Sequence, residues 1–337
     1  MRNRRAWFKR LAAVVATIAL IGGCKSEQTS LPGHLWYYNI VSNRSEILAA
    51  NGKRKPQDLT GDNDARPWPD GSQYIKYDFT HGDTDFINII RTSDGETIYR
   101  VAVPSFSGLL QPSPISKSIV SLQYFKESFD TKGAFFVIDL SNGKILHQSL
   151  DPRPKSKEKF GYSWLPDGKI MRIDKETGVM ETVSMGGDWV KSGRLSIPDG
   201  RKLWRFSVSH SGSKIAAIYM DYDYSKYATE KANNNSDLWV ANIDGSDQHR
   251  VTRGGMTYKV FWAPDDSKLL FNMSTRFCND LRCPGQTSWW LANSSETSIP
   301  ALRDGSSYDN VTQLLYLNSS DNRVAVGGFA EIRGWVE

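Results

Sequence analysis

Six times along this chain a tight polar turn is followed at once by a short apolar run, and this recurrence constrains the fold more than any other feature. Trp68-Pro69-Asp70-Gly71 leads into residues 74–77, and Trp164-Leu165-Pro166-Asp167-Gly168 into 170–173. Val208-Ser209-His210-Ser211-Gly212 leads into 214–220, and Trp262-Ala263-Pro264-Asp265-Asp266 into 269–271. Two weaker copies, Gln111-Pro112-Ser113-Pro114 before 119–122 and Leu317-Asn318-Ser319-Ser320 before 324–326, match only in spacing. The copies stand roughly 45–55 residues apart, the range of propellers and arrays, because a unit of that size cannot bury its apolar face without a neighbour.

Residues 233–273 show what one unit contains. Residues 237–242 carry the apolar Leu238 and Val240 with Trp239, and Asp244-Gly245 is a turn pair. Residues 248–252 form a second short strand signal, 258–262 a third, and 268–272 a fourth after Pro264-Asp265-Asp266. Short strands joined by Asp, Gly and Pro turns predict antiparallel β structure.

These units resemble the TolB-like propeller repeat, in which a Trp-Ser-Pro-Asp-Gly turn precedes a short apolar strand and a later strand ends in Asp-Gly. The 233–273 unit is a close match, the Trp68 and Trp164 copies match in their turns, and the likeness covers most of residues 34–337. It implies an all-β fold: a six-bladed β-propeller of four-stranded antiparallel blades, closed by pairing strands from the N- and C-terminal ends. Full blades are expected over about 65–103, 107–150, 160–198, 203–253 and 257–302, with the outer strands of the third irregular in pattern. Residues 35–41 read as the third strand of a shared blade with 46–50 returning beside them, and 310–317 with 323–330 read as its other half. Such pairing removes exposed sheet edges.

The repeat region of roughly 300 residues suffices for one closed domain, and residues 1–33 have a different character. Arg2, Arg4, Arg5, Lys9 and Arg10 precede an apolar stretch at 11–21 that is too short for a comfortable membrane span. Leu20-Ile21-Gly22-Gly23-Cys24 resembles the bacterial lipobox; the competing reading is an ordinary secretory peptide with a chance cysteine. The lipobox resemblance implies lipidation of the Cys24 thiol, cleavage before Cys24 and acylation of the new N-terminus, enough chains for stable anchoring. Lys25, standing where an aspartate would retain the protein at the inner membrane, favours the outer membrane. The chain is therefore expected to divide into a signal peptide (1–23), a lipidated tether (24–33) and a propeller (34–337).

Cleavage changes the charge balance. Of 42 basic residues five lie in 1–23, leaving 37 against 37 acidic, so the formal +5 belongs to the signal and no nucleic-acid partner is expected. With Cys24 lipidated, Cys278 and Cys283 bracket four residues, a spacing that suits a small disulfide loop in an oxidising periplasm. Zinc would need two further ligands, and no histidine lies near in sequence.

In the expected blade order both kinds of tight turn share one face. The other face carries the loops between second and third strands, and these are long at 78–85, 126–133, 221–236 and 274–288. Long loops on a rigid scaffold are where binding concentrates. Asp221, Tyr222, Asp223, Tyr224 and Tyr227 form the candidate partner-binding loop, because tyrosine offers rigid contact area at small entropic cost; tyrosines packed on a neighbouring blade explain the pattern equally well. Asp83, Asp85, Asp221 and Asp223 offer oxygen ligands, but calcium takes six to eight and no EF-hand pattern is present, so no metal is expected. The five histidines are scattered, and the chain has no Gly-x-Ser-x-Gly elbow, Walker loop or dinucleotide fingerprint, so no cofactor is expected. The TolB-like resemblance implies a non-catalytic module that docks a protein or peptide of the cell envelope. TolB's separate N-terminal domain has no counterpart in residues 25–33, so its partners do not carry over. The alternative is a propeller enzyme or carbohydrate-binding protein with substrate in the central channel.

Overall fold

The computed structural model describes residues 31–336 except the connecting segments 40–43, 50–52, 61–64, 79, 81–83, 105–109, 125–131, 155–158, 221–235, 254, 275–286, 303–305, 318–322 and 327–329. The chain enters with β1 (His34–Asn39), β2 (Arg44–Leu48) and β3 (Arg54–Thr60). It continues with β4 (Arg66–Pro67), β5 (Gln73–Asp78), β6 (Thr84–Arg91) and β7 (Thr97–Pro104), then β8 (Leu110–Pro112), β9 (Ile119–Tyr124), β10 (Lys132–Asp139) and β11 (Lys144–Pro154). Next come β12 (Phe160–Trp164), β13 (Ile170–Asp174), β14 (Val179–Val183) and β15 (Val190–Arg194), followed by β16 (Lys202–Val208), β17 (Lys214–Met220), β18 (Ser236–Asn242) and β19 (His249–Arg250). The last are β20 (Met256–Trp262), β21 (Lys268–Ser274), β22 (Thr287–Asn293), β23 (Val311–Gln313), β24 (Leu315–Leu317), β25 (Arg323–Ala325) and β26 (Ala330–Val336).

Strands pair antiparallel in chain order, so β4–β7, β8–β11 and β12–β15 are three separate four-stranded sheets. The strands β16–β19 and β20–β23 pair in the same way, and one parallel bridge, Ser236 opposite Met256, joins the two sets into an eight-stranded sheet. A further four-stranded sheet has the order β26-β1-β2-β3, while β24 and β25 form a hairpin of their own. The fold is thus an all-β propeller of four-stranded antiparallel sheets. The first strands β4, β8, β12, β16, β20 and β26 all line one central cavity. Strand β26 lies beside β4 on one side and β20 on the other, and β16 lies between β12 and β20.

The core sits between sheets. Ile218, Leu238 and Val240 of one strand set pack against Trp262, Leu269 and Phe271 of the next. Phe135 of β10 stacks on Tyr162 of β12 at 4.2 Å between ring centroids. Strand β17 is buried along almost its whole length because it is covered on both faces, which is why residues 215–220 read as a continuous apolar run rather than an alternating one.

The turn motif has a local cause. Asp70 Oδ1 accepts from Ser72 N at 3.0 Å, Asp167 Oδ1 from Lys169 N at 3.0 Å, and Asp265 Oδ1 from Ser267 N at 3.1 Å. A carboxylate that caps the backbone two residues on stabilises the turn before any tertiary contact forms. The following position is left-handed: Gly71, Gly168 and Gly212 have φ of 66°, 81° and 73°. Asp266 takes the same place with φ 58° and uses its carboxylate on the neighbouring strand set, accepting from His210 N at 2.7 Å and Ser211 N at 2.8 Å. Aspartate is among the few non-glycine residues that tolerate this region.

The first copy lacks one residue, so Trp68 stands where Leu165 stands in the third. Accordingly Trp68 Nε1 donates forward to Ser116 O at 3.0 Å, whereas Trp164 and Trp262 donate back to Gln111 O and Ser207 O at 3.3 and 3.0 Å.

Two expectations about the chain ends are corrected. Strand β1 is the second strand of its sheet, not the third, and the C-terminal region contributes one strand, β26, rather than half the sheet. Residues 311–313 are instead the outer strand of the preceding set, beside β22. Residues 318–320, expected to form the sixth turn, lie outside the described residues, and the strands on either side, β24 and β25, pair only with each other among the described strands. The equivalent of the missing turn lies where the chain ends meet. His34 pairs with Val336, Gly33 has φ 79°, and Trp335 Nε1 donates to Pro32 O at 2.5 Å. Leu31, Pro32 and Gly33 thereby occupy the place that Pro-Asp-Gly fills elsewhere. The third unit, expected to be irregular, is a complete sheet with β15 as its edge.

Candidate functional site

The site is the central cavity, about 680 Å³ in volume and lined by the first strand of every set. Ligand pockets commonly fall in the range of about 300–1,000 Å³. Tyr162, Trp204, Phe206 and Phe261 give it aromatic walls, and Arg66, Lys175, Arg205, Lys259 and Arg333 bring cationic side chains, with His210 at the turn end. Among the described residues the lining includes no aspartate or glutamate.

Backbone irregularities deliver three of these side chains. Between β16 and β17 the register steps from Leu203–Tyr219 to Arg205–Ile218, leaving Trp204 as an extra residue. Trp204 is 42% exposed although it lies among the repeat's apolar positions. Between β20 and β21 the ladder skips Tyr258 and Lys259, and the buried Asn272 fills the gap by accepting from Tyr258 N at 3.0 Å and Lys259 N at 2.8 Å. Between β26 and β1 the step falls at Arg333, since Gly334 faces Trp36 and Ile332 faces Tyr37. A bulge re-aims a side chain that a regular ladder would commit to one face. Gly161 of β12 leaves room for its neighbours: a Cβ there would stand 3.0 Å from the Phe206 ring and 3.8 Å from Lys175 Cε.

The long loops lie where the sequence predicts, between second and third strands. The candidate loop residues Asp221, Tyr222, Asp223, Tyr224 and Tyr227 lie outside the described residues, as do Cys24, Cys278 and Cys283. The base of the 221–235 loop is described. Met220 pairs with Ser236, and Ser236 Oγ donates to Thr257 O at 2.7 Å. Asp237 follows, fully buried, with Arg201 and Arg250 both on Oδ2, the latter at 2.5 Å. This Arg–Asp–Arg cluster, which sequence reading missed, clamps the returning strand. Its only sequence signal is an aspartate at the head of an apolar strand.

Of the acidic residues considered for calcium, Asp83, Asp221 and Asp223 lie outside the described residues, and Asp85 is otherwise engaged. Asp85 is buried and accepts from the Tyr77 hydroxyl and from Thr80 N at 2.9 Å. Among the described residues no group of three or more His, Cys, Asp or Glu could hold a metal ion. Among the described residues the histidines do not converge, and His81 lies outside them. His147 lies on β11 edge-on to Trp189 at 5.7 Å, where burial and then the Arg172 charge push its imidazole pKa below the usual 6.5. His249 is on β19, and His34 and His210 are exposed. Among the described residues no helix is long and apolar enough to cross a membrane.

No protein-family model and no curated protein sequence matches the chain. Solved structures do. TolB from Acinetobacter baumannii superposes with a TM-score of 0.55 at 14% identity, over 79% of this chain and 62% of that one, so the chain spans less than two thirds of that protein. An oligogalacturonate lyase in complex with manganese gives 0.50 at 12% identity, over 83% and 80%. A putative TolB from Agrobacterium tumefaciens gives 0.44 at 14% identity, over 80% and 87%. At such identities the likeness shows the fold alone: a β-propeller whose solved neighbours include TolB proteins.

Proposed function

We propose that this protein is a non-catalytic docking module of the bacterial cell envelope: a six-bladed propeller, lipidated at Cys24, that holds a protein or peptide partner. Six is the count obtained when the eight-stranded sheet is divided at its single bridge into two blades. The observation that carries the docking reading is the make-up of the central cavity, whose lining combines aromatic and cationic side chains from five of the six first strands, β8 adding Leu110, Gln111 and Pro112. Aromatic residues and arginine are the types that dominate protein-binding hot spots. The lipobox-like Leu20-Ile21-Gly22-Gly23-Cys24, with Lys25 after it, supports anchoring on the periplasmic side of the outer membrane. The 221–235 loop, rooted on the Asp237 clamp, is the second contact surface, and Cys278 and Cys283 form a disulfide in the 275–286 loop.

The test is capture from detergent-solubilised envelope with the tagged full chain, alongside a variant with the 221–235 loop shortened. A specific protein retained by the wild type and reduced in the variant is the expected result. Retention unaffected by shortening removes the loop from the reading, and turnover of envelope-derived substrates by the purified protein replaces docking with catalysis. Labelled palmitate incorporation that survives Cys24→Ala would refute the anchor.

A further inference from the structure

The chain enters the propeller on the face that carries the tight turns. Leu31, Pro32 and Gly33 take the place of a Pro-Asp-Gly turn, His34 pairs with Val336, and a Cβ on Gly33 would stand 3.1 Å from Pro264 Cγ in the turn of the neighbouring strand set. Leu31 is 3% exposed in a core cluster with Ala263 and Trp335, so the entry point is fixed. Strand β1 then runs away from this face, to Asn39 opposite Ala330 and Arg44. The far end of the sheets carries the connections between second and third strands, 221–235 among them. The exposed Trp204 of the cavity lies toward that far end, because Leu203 beside it pairs with Tyr219, the neighbour of Met220 at the root of the 221–235 loop. The entry point and the long-loop mouth of the cavity are thus on opposite faces.

Only residues 25–30 separate Cys24 from Leu31. That length of chain, fully extended, reaches at most about 25 Å. Strand β1 is the second of its sheet, with β2 and β3 between it and the rim. A path from the entry point to the opposite face therefore runs about 10 Å outward across two strand spacings and then about 23 Å along a strand of seven residues such as β26. The tether is too short for that path. We infer that the turn face is the surface that meets the lipid bilayer, and that the long-loop end of the cavity opens away from it, toward a partner in the aqueous periplasm. This rests on the lipidated docking reading and adds which surface faces the lipid and from which side the partner approaches. Asp70, Asp167 and Asp265 cap their own turns, so the turn face is short and locally braced, while the long connections, where binding concentrates, are left on the free side.

The experiment uses the full chain, lipidated in a bacterial host and added to vesicles of phosphatidylethanolamine and phosphatidylglycerol that carry an energy-transfer acceptor on a fraction of the headgroups. A fluorescent coumaryl residue is placed singly at Glu96 or Ser295, exposed on the turn face, or at Thr84 or Thr177, exposed on the opposite face. Transfer from the turn-face positions is expected to be at least about twofold stronger, because the faces are separated by about 23 Å of strand. A flexible Gly/Ser insert of about 40 residues after Ser30, with a reach of about 35 Å, should abolish the difference. Circular dichroism melts establish that each labelled protein is folded. Flotation with the vesicles reports the anchor separately, and Cys24→Ala should not float. Wild-type protein that floats but gives equal or reversed transfer overturns the orientation and leaves lipidation standing, and wild-type protein that does not float overturns both. A captured partner that is itself embedded in the bilayer refutes approach from the aqueous side, whatever the transfer pattern.

Discussion

Asp237 is the residue whose removal should cost the folded state most for its size. Its side chain is fully buried, and both arginines on its Oδ2 keep limited exposure, 19% for Arg201 and 27% for Arg250. Asp237→Ala leaves two desolvated cations facing one another with no intervening anion. Breaking a buried pair by deleting one partner costs about 3–5 kcal/mol, and the partial exposure of both arginines places this case near about 3 kcal/mol. Against a total stability of about 5–15 kcal/mol that is a large fraction, equivalent to a fall in Tm of roughly 5 °C for a folded region of about 300 residues. Chemical denaturation and differential scanning calorimetry of wild type and Asp237→Ala measure it directly. The argument assigns the loss to stranded charge rather than to lost volume, so Asp237→Leu in an Arg201→Met/Arg250→Met background should cost little, as buried ion clusters replaced by apolar residues often do. A double-mutant cycle in which Asp237→Ala is equally destabilising with and without the arginines would refute the reasoning.

Gly33→Ala should destabilise by more than about 2 kcal/mol, adding the left-handed strain of about 1–2 kcal/mol to a Cβ 2.1 Å from Val336 O. Gly143→Ala, with φ 69° and nothing within 4 Å of its Cβ, should cost the strain alone, and equal losses in denaturation midpoint would contradict the closure geometry. Asn272→Ala removes the acceptor of two backbone N–H groups and should cost about 1–3 kcal/mol, with faster amide exchange at Tyr258 and Lys259 as the local signature. Burial alone would push Asp266 up, but the Ser211 hydroxyl, the Ser211 and His210 N–H groups and the His210 charge outweigh it and hold its pKa below the usual 3.8. A carboxylate depressed on folding contributes stability that is present above its unfolded pKa and is lost as pH falls through its folded one. Asp266→Ala should therefore cost more at neutral pH than in strong acid, and an equal cost at both would show that the carboxylate charge plays no part.

Much of the fold was legible because its punctuation is local. An aspartate that caps the backbone two residues ahead, followed by a residue free to adopt positive φ, specifies a tight turn without reference to the rest of the chain. That is why Asp70-Gly71 and Asp167-Gly168 marked their turns correctly, and why units at 65–103 and 160–198 lie close to β4–β7 and β12–β15. Strand partners were less legible, because an alternating or apolar run states that a strand exists and not which neighbour it joins. Residues 310–317 therefore looked like half of the closing sheet, whereas 311–313 complete the sheet before it and β26 alone pairs with β1.

The sequence by itself determined the all-β class, the recurrence of the unit, the face that carries the long loops and the lipobox resemblance at Cys24, since each depends on residues close together in the chain. Only the tertiary structure decided the site. Arg66, Lys175, Arg205, Lys259 and Arg333 are unremarked singly, and it is the ring of first strands, with bulges at Trp204, Lys259 and Arg333, that turns them toward one cavity. Asp237, likewise, was one aspartate at a strand end until burial set it between Arg201 and Arg250. The physical reason is the same in both cases: the consequence of a charge depends on the solvent and the charges around it, and these are assembled from segments far apart along the chain.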